Sequence, residues 1–246
     1  MSNESTVLVL GASGMLGNAV LRYFSESPGY AVVGAVRSAK SLDRLPQALR
    51  SRIICGLDAG NIDSLSELIA RVKRDVVVNC VGLVKQLAES GDPLAAIPIN
   101  SLLPHRLVQL CNMTEARLIH VSTDCVFAGT RGLHREDDVA DASDMYGRSK
   151  LLGEVDDQRA VTLRTSIIGP ELDGAHGLLG WALSQRGRVK GFTRAIFSGL
   201  PTFELARVMR DFVLPRSDIL RCWTIDRTCF RDLSTFATLC FARTFP

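Results

Sequence analysis

A glycine-rich turn near the start of the chain, Gly11-Ala12-Ser13-Gly14-Met15-Leu16-Gly17, constrains the fold more than any other feature. It follows a short β-branched run, Thr6–Leu10, and opens a stretch in which Met15, Leu16, Ala19, Val20, Tyr23 and Phe24 recur at helical spacing. A strand that passes into a helix through three glycines three residues apart has few ways to fold. The first glycine permits the tight turn, the second lets a phosphate approach the backbone, and the third lets helix and strand pack closely. The helix then presents free N–H groups to an anion. Gly11, Ser13, Gly14, Met15, Leu16 and Gly17 are therefore candidate dinucleotide-binding residues, although the same spacing also serves a plain strand–helix turn.

The alternation continues along the chain. Further strands are expected at Tyr30–Val36, from Ile53, at Val76–Val81, Leu118–Val121 and Val161–Thr165. Helices are expected over Ser41–Arg50 (weakened by Pro46), from an N-cap at Asp63 through Val72, and over Asn100–Asn112, Asp144–Asp157, Leu178–Gln185 and Phe203–Leu214. Near-continuous apolar strands separated by helices imply an α/β fold, a doubly wound parallel sheet covered on both faces. In such sheets ligands bind outside the carboxyl ends of the strands. Residues 1–170 are expected to form the nucleotide-binding domain and 171–246 a small substrate lobe. The segment 215–246 stands apart, holding three of the seven cysteines and no Gly, Lys or Glu, and is read as a truncated or divergent ending of that lobe.

With 246 residues, 46% hydrophobic and 22% charged, the chain has the composition of a globular protein with a sizeable core. A net charge of +3 without a basic block argues against nucleic acid. The apolar stretches fall short of the roughly 18 residues of a membrane span, and the N-terminus lacks a basic signal region. No cysteines stand as C-x-x-C and no His/Cys cluster has zinc spacing. A reduced cytoplasmic protein without a metal or a membrane partner is expected.

Three further positions carry chemistry. An acidic residue at the end of the second strand would hold a ribose 2′-hydroxyl, but the strand ends Ala35-Val36-Arg37-Ser38. Arg37 suits a 2′-phosphate, so NADP(H) is favoured over NAD. Asp58, after the third strand, is placed to accept a bond from an adenine amino group or to make a turn. Tyr146 and Lys150 stand at i and i+4 and so share a helix face. Three Tyr and five Lys in the chain would give about 0.06 such pairs by chance. A neighbouring ammonium is expected to lower the Tyr146 pKa and fit the phenol for proton transfer near neutral pH. Thr123, leaving the fifth strand in His120-Val121-Ser122-Thr123-Asp124, offers a hydroxyl to the same oxygen.

Taken together, Gly11-x-x-Gly14-x-x-Gly17, Asn79-Cys80-Val81-Gly82, Ser122-Thr123-Asp124 and Tyr146-x-x-x-Lys150 make the chain resemble an extended short-chain dehydrogenase/reductase with a Rossmann-like domain. Within that group it is most similar to the dTDP-4-dehydrorhamnose reductase family, through Ser122-Thr123-Asp124-Cys125-Val126-Phe127-Ala128-Gly129, Tyr146-Gly147-Arg148-Ser149-Lys150-Leu151-Leu152-Gly153-Glu154, Arg164-Thr165-Ser166 and Gly199-Leu200-Pro201-Thr202. The resemblance implies Tyr146 as proton donor, Thr123 as a hydrogen-bonding partner of the substrate carbonyl, and Lys150 on the nicotinamide ribose. It also implies Asn79, Val81, Gly82, Thr165 and Ser166 along the cofactor; Lys85, Asp124 and Arg194 are candidate residues toward a nucleotide-sugar substrate. A homodimer is compatible with it. Two positions depart from the family: Cys125 replaces an aromatic, and Leu83-Val84-Lys85-Gln86 replaces a polar segment. A UDP-amino-sugar epimerase/reductase and a non-catalytic nucleotide-binding regulatory subunit of the same fold stay open as alternatives.

Overall fold

The computed structural model describes residues 4–131, 134–191, 197, 199–216 and 221–224. Its strands are β1 (Ser5–Leu10), β2 (Tyr30–Val36), β3 (Ile53–Cys55), β4 (Val76–Asn79), β5 (Arg117–Val121), β6 (Ala160–Arg164), β7 (Ile167–Ile168), β8 (Leu200–Pro201) and β9 (Arg221–Thr224). Seven form one sheet in the order β3-β2-β1-β4-β5-β6-β9, every pair parallel. β7 and β8 form a separate parallel pair. The helices are α1 (Met15–Ser25), α2 (Gln47–Arg50), α3 (Ile62–Arg71), α4 (Pro93–Ala96), α5 (Leu103–Met113), α6 (Met145–Leu152), α7 (Leu178–Ser184) and α8 (Thr202–Val208).

Both faces of the sheet are buried, which is why its strands read as unbroken apolar runs. Along β1 the side chains alternate between two cores. Val7 and Val9 pack with Leu16, Val20 and Phe24 of α1 and with Leu205 and Ala206 of α8. Leu8 and Leu10 pack with Leu65, Leu68 and Ile69 of α3 and with Leu103 and Leu107 of α5. The expected doubly wound α/β fold is therefore present. Residues beyond 170 share in it: α8 closes the first core, and β9 extends the main sheet beside β6. The strand Arg221–Thr224 lies within the segment read as an atypical ending; residues 225–246 lie outside the described residues.

Local details differ from the sequence reading for identifiable reasons. The cap of α3 is Asn61, not Asp63, because Asn61 Oδ1 accepts the Asp63 and Ser64 N–H groups at 2.8 and 3.3 Å. Pro46 splits the expected helix into a 3₁₀ segment, Ala39–Arg44, and the short α2. The helix expected from Asn100 starts at Pro93 and runs through a π-widened stretch, Ile97–Leu102, into α5. The α6 helix ends at Leu152, earlier than the expected Asp157.

At the glycine turn, Gly11 has φ +76° and Gly14 N donates to Gly11 O at 2.9 Å. A Cβ on Gly17 would lie 2.1 Å from that same Gly11 oxygen, so α1 and the turn are in backbone contact. Gly17→Ala is expected to cost roughly 3 kcal/mol or more, the upper end for overpacking. A urea denaturation midpoint close to that of the parent protein would count against this account of the turn.

Candidate active site

The carboxyl ends of β1, β4, β5 and β6 lie together, in the register Leu10↔Asn79, Asn79↔His120 and Val121↔Leu163. The candidate residues hang from these ends. Gly11, Ser13, Gly14, Met15, Leu16 and Gly17 pass from β1 into α1. Gly14 is the N-cap and has no side chain to close the helix, so the first N–H groups of α1 keep their capacity for an outside acceptor. Gly14 is exposed, and its missing Cβ leaves the approach open. This cradle fits a pyrophosphate. Arg37 is exposed one residue past β2, and nearby Ser38 caps the next segment through the Lys40 N–H. Asp58 is exposed after β3, where its carboxylate accepts the Gly60 N–H at 3.0 Å, which is the turn role.

Asn79, at the end of β4, is fully buried. Its Oδ1 accepts the Val81 N–H at 3.1 Å, which turns its Nδ2 toward His120 Nδ1, also at 3.1 Å. His120 Nδ1 is then the acceptor and the imidazole proton belongs on Nε2. Burial holds the His120 pKa well below its ordinary value, so the ring is neutral. The Asn79 side chain is thus occupied in joining β4 to β5. Val81 and Gly82 follow, and a Cβ on Gly82 would stand 3.8 Å from Lys150 Nζ.

Tyr146 and Lys150 lie on α6, whose start is capped by Asp144 Oδ1 accepting the Gly147 N–H at 2.7 Å. The Tyr146 phenol faces Thr123, whose Oγ1 accepts the Cys125 N–H at 3.1 Å and donates to Asp124 Oδ1 at 3.3 Å. Here the expected electrostatics need correcting. Lys150 Nζ donates to the Val121 carbonyl at 2.7 Å, and burial raises the Tyr146 phenol to about 12. Desolvation dominates, and the ammonium expected to lower the phenol is held instead at the Val121 carbonyl. The same burial lowers Lys150 to about 8, against an upward pull from Glu154. Cys80 beside it is a neutral thiol, raised to about 12 by burial.

Asp124 and Ser166 meet, the Ser166 hydroxyl standing 2.7 Å from both carboxylate oxygens. Thr165 is buried and donates to the Ser166 carbonyl at 2.8 Å. Lys85 is exposed and paired with Asp144 at 2.8 Å, across the start of α6. Arg194 lies outside the described residues. Thr123, Asp124, Tyr146, Lys150 and Ser166 are therefore brought together, and Arg37 and Asp58 stand apart along the β2–β3 side.

Two residues of the site, Asn100 and Glu154, were not assigned a role from sequence. Asn100 clamps the segment after β4, its Oδ1 accepting the Leu83 N–H at 2.9 Å and its Nδ2 donating to the Leu83 carbonyl at 3.1 Å. It sits in the π-widened stretch; a polar residue among apolar ones between Pro98 and Pro104 was the available signal. Glu154 pairs with Arg164 at 2.7 Å, their side chains 10% and 8% exposed. Both stood within recognised motifs, but only the fold brings them into contact.

Residues 5–169 match the RmlD substrate binding domain family. A probable low-salt glycan biosynthesis reductase of Haloferax volcanii is 34% identical over 147 residues, 59% of this chain and 46% of that protein. The methionine adenosyltransferase 2 subunit beta of Bos taurus is 29% identical over 148 residues, 60% of this chain and 41% of that one. The chain thus aligns with less than half the length of either relative. The dTDP-4-dehydrorhamnose reductase of Bacillus anthracis, solved in complex with NADP, has a similar fold, with a TM-score of 0.70 and 19% identity over 91% of this chain and 74% of that one.

The low Lys150 pKa has a thermodynamic consequence. The unfolded lysine keeps its proton to about pH 10.5, while the folded one releases it near 8. The native state therefore gains stability as pH rises between these values. Lys150→Met should be more stable than the parent below pH 8 by roughly 3 kcal/mol, a lead that shrinks to a constant by pH 10.5. The buried thiols and Tyr146 titrate in both proteins and cancel in the difference. Urea unfolding of the pair across pH 7–10.5 tests this; a pH-independent difference would contradict it.

Proposed function

The chain belongs to the RmlD substrate binding domain family, and on that premise we propose that it is an NADP(H)-dependent reductase of a nucleotide-linked 4-keto-6-deoxy sugar. The observation that carries this reading is the seating of α6 on the exit of β5: Lys150 Nζ bonds the Val121 carbonyl at 2.7 Å, which brings the helix turn bearing Tyr146 to Thr123 at the strand edge that also bears the glycine cradle. When bound, the nicotinamide cofactor supplies the hydride.

The remaining chemistry belongs to the chain. At neutral pH the Tyr146 phenol is protonated, so it donates a proton to the carbonyl oxygen as general acid. Thr123 bonds the same oxygen and aligns the phenol. Lys150, near its protonation midpoint at about 8, directs an amine toward the cofactor ribose. The α1 N-terminus receives the pyrophosphate, and Arg37 receives a 2′-phosphate through charge-assisted bonds. Proteins of similar fold have been solved with NADP and with NAD, which supports a nicotinamide cofactor, and the preference for NADP(H) rests on Arg37. Lys85 must leave Asp144 to reach a substrate phosphate, and Asp124 with Ser166 offers polar groups to the sugar.

The similarity to a methionine adenosyltransferase subunit favours a second reading, a nucleotide-binding regulatory subunit. NADPH oxidation with a panel of nucleotide-linked keto sugars separates the two: turnover of a panel member supports the reductase, and tight cofactor binding without turnover across the panel supports the subunit.

Two variants test the assignments. Tyr146→Phe should bind cofactor like the parent but lose roughly 10²–10⁴-fold in turnover; parental turnover would sink the proton-donor role. Arg37→Ala should erase a preference for NADPH over NADH worth on the order of 1–3 kcal/mol. Equal titrated affinities in the parent would remove the basis for an NADP-selective site.

A further inference from the structure

Glu154 stands just past the end of α6, where the turn is pinned: a Cβ on the preceding Gly153 would lie 1.9 Å from the Asn100 carbonyl oxygen. Its Oε1 accepts the Ser122 hydroxyl and the Arg164 Nε, each at 2.9 Å, and its Oε2 accepts Arg164 Nη2 at 2.7 Å. Ser122 precedes Thr123 at the exit of β5. Arg164 ends β6 and precedes Thr165 and Ser166. A third Arg164 nitrogen, Nη1, donates to the Glu136 carbonyl at 3.1 Å, and the guanidinium stands 5.2 Å from the centre of the Phe127 ring.

We propose that Glu154 is a positioning residue for the candidate active site: its carboxylate fixes the strand ends that carry Thr123 and Ser166 against the α6 face that carries Tyr146 and Lys150. Stability is a poor reason for such a group, because a buried ion pair often does no better than apolar residues of the same volume. Geometry is a better one. Bidentate Arg–carboxylate pairing fixes direction as well as distance, and a misplacement of about 1 Å near reacting groups can cost on the order of 100-fold in rate.

The charge of Glu154 acts on the site too. The titratable groups that bear on Lys150 are Glu154 just past its own helix, Cys80 after β4 and His120 on β5, with Tyr146 one turn earlier on α6. The thiol and the imidazole are neutral at pH 7, and so is the phenol. Glu154 is therefore the carboxylate, among the described residues, that favours the Lys150 ammonium. A purely structural glutamate would hold strands together without setting that proton.

The test uses the full chain with isotopically labelled lysine; five lysines make the Lys150 signal assignable by substitution. In Glu154→Gln the Lys150 side-chain titration should move down by about one pH unit, a tenfold weaker hold on the proton. The Thr123 and Ser166 amide resonances should move with it. On the reductase reading, turnover should fall on the order of tenfold or more while the cofactor KM changes little. A Lys150 titration and Thr123 resonances identical to the parent, with only a lower unfolding midpoint, would overturn the proposal, as would parental turnover. Should Glu154→Gln fail to fold, Ser122→Ala removes a single donor at nearly constant volume. Displaced Thr123 and Ser166 resonances then support the role, and unmoved ones overturn it. The titration and the resonances need no substrate. If they respond while the parent protein turns over no keto sugar, the reductase reading fails and the positioning of the site stands.

Discussion

Parallel pairing is the constraint on which the rest of this structure depends. Because β1, β4, β5 and β6 all run the same way, their last residues, Leu10, Asn79, Val121 and Arg164, arrive at one edge of the sheet. Each chain segment leaving that edge begins with groups suited to chemistry: the glycine turn, Val81-Gly82, Ser122-Thr123-Asp124 and Thr165-Ser166. The helices required to cross from one parallel strand to the next bury both faces. That burial leaves the carboxyl edge as the place where polar side chains from several strands can meet.

Burial also decides the electrostatics of that edge. Lys150 and Tyr146 are moved in opposite directions, down to about 8 and up to about 12, by the same cause: each loses water that would solvate its charged form. His120 and Cys80 are held neutral in the same way. What remains charged there is held by well-aligned partners, as the Glu154–Arg164 pair shows with its two parallel bonds. Polar groups without charge do similar work at closer range: Asn79 joins β4 to β5, and Asn100 fastens the backbone after β4 to the helix above it.

Several elements were legible in the sequence because their causes are local. The β1 run, the glycine turn and the helical spacing of α1 lie within twenty residues and express one steric requirement, seen as the close approach of Gly17 to Gly11. Tyr146 and Lys150 share a face because four residues make about one helical turn. The cap of α3 was misplaced by two residues because Asp63 and Asn61 are equivalent by type, and only the backbone path decides which one turns back on the helix. The π-widened stretch before α5 had no periodic signature; it is shaped by Asn100 reaching across to Leu83.

The amino-acid sequence by itself determined the strand–helix alternation, the parallel doubly wound sheet and the edge at which the candidate residues would gather. Those follow from apolar periodicity and from the sterics of glycine, which act over a few residues. The tertiary structure alone decided which polar groups meet: Glu154 with Arg164 and Ser122, Asn79 with His120, Lys85 with Asp144, and Lys150 with the Val121 carbonyl. It also decided the protonation of Tyr146 and Lys150, where sequence reasoning counted a neighbouring charge and omitted the loss of water. Pairings between residues up to several tens of positions apart, and the desolvation of a side chain, depend on what the folded chain places around each group, and no spacing along the sequence encodes that.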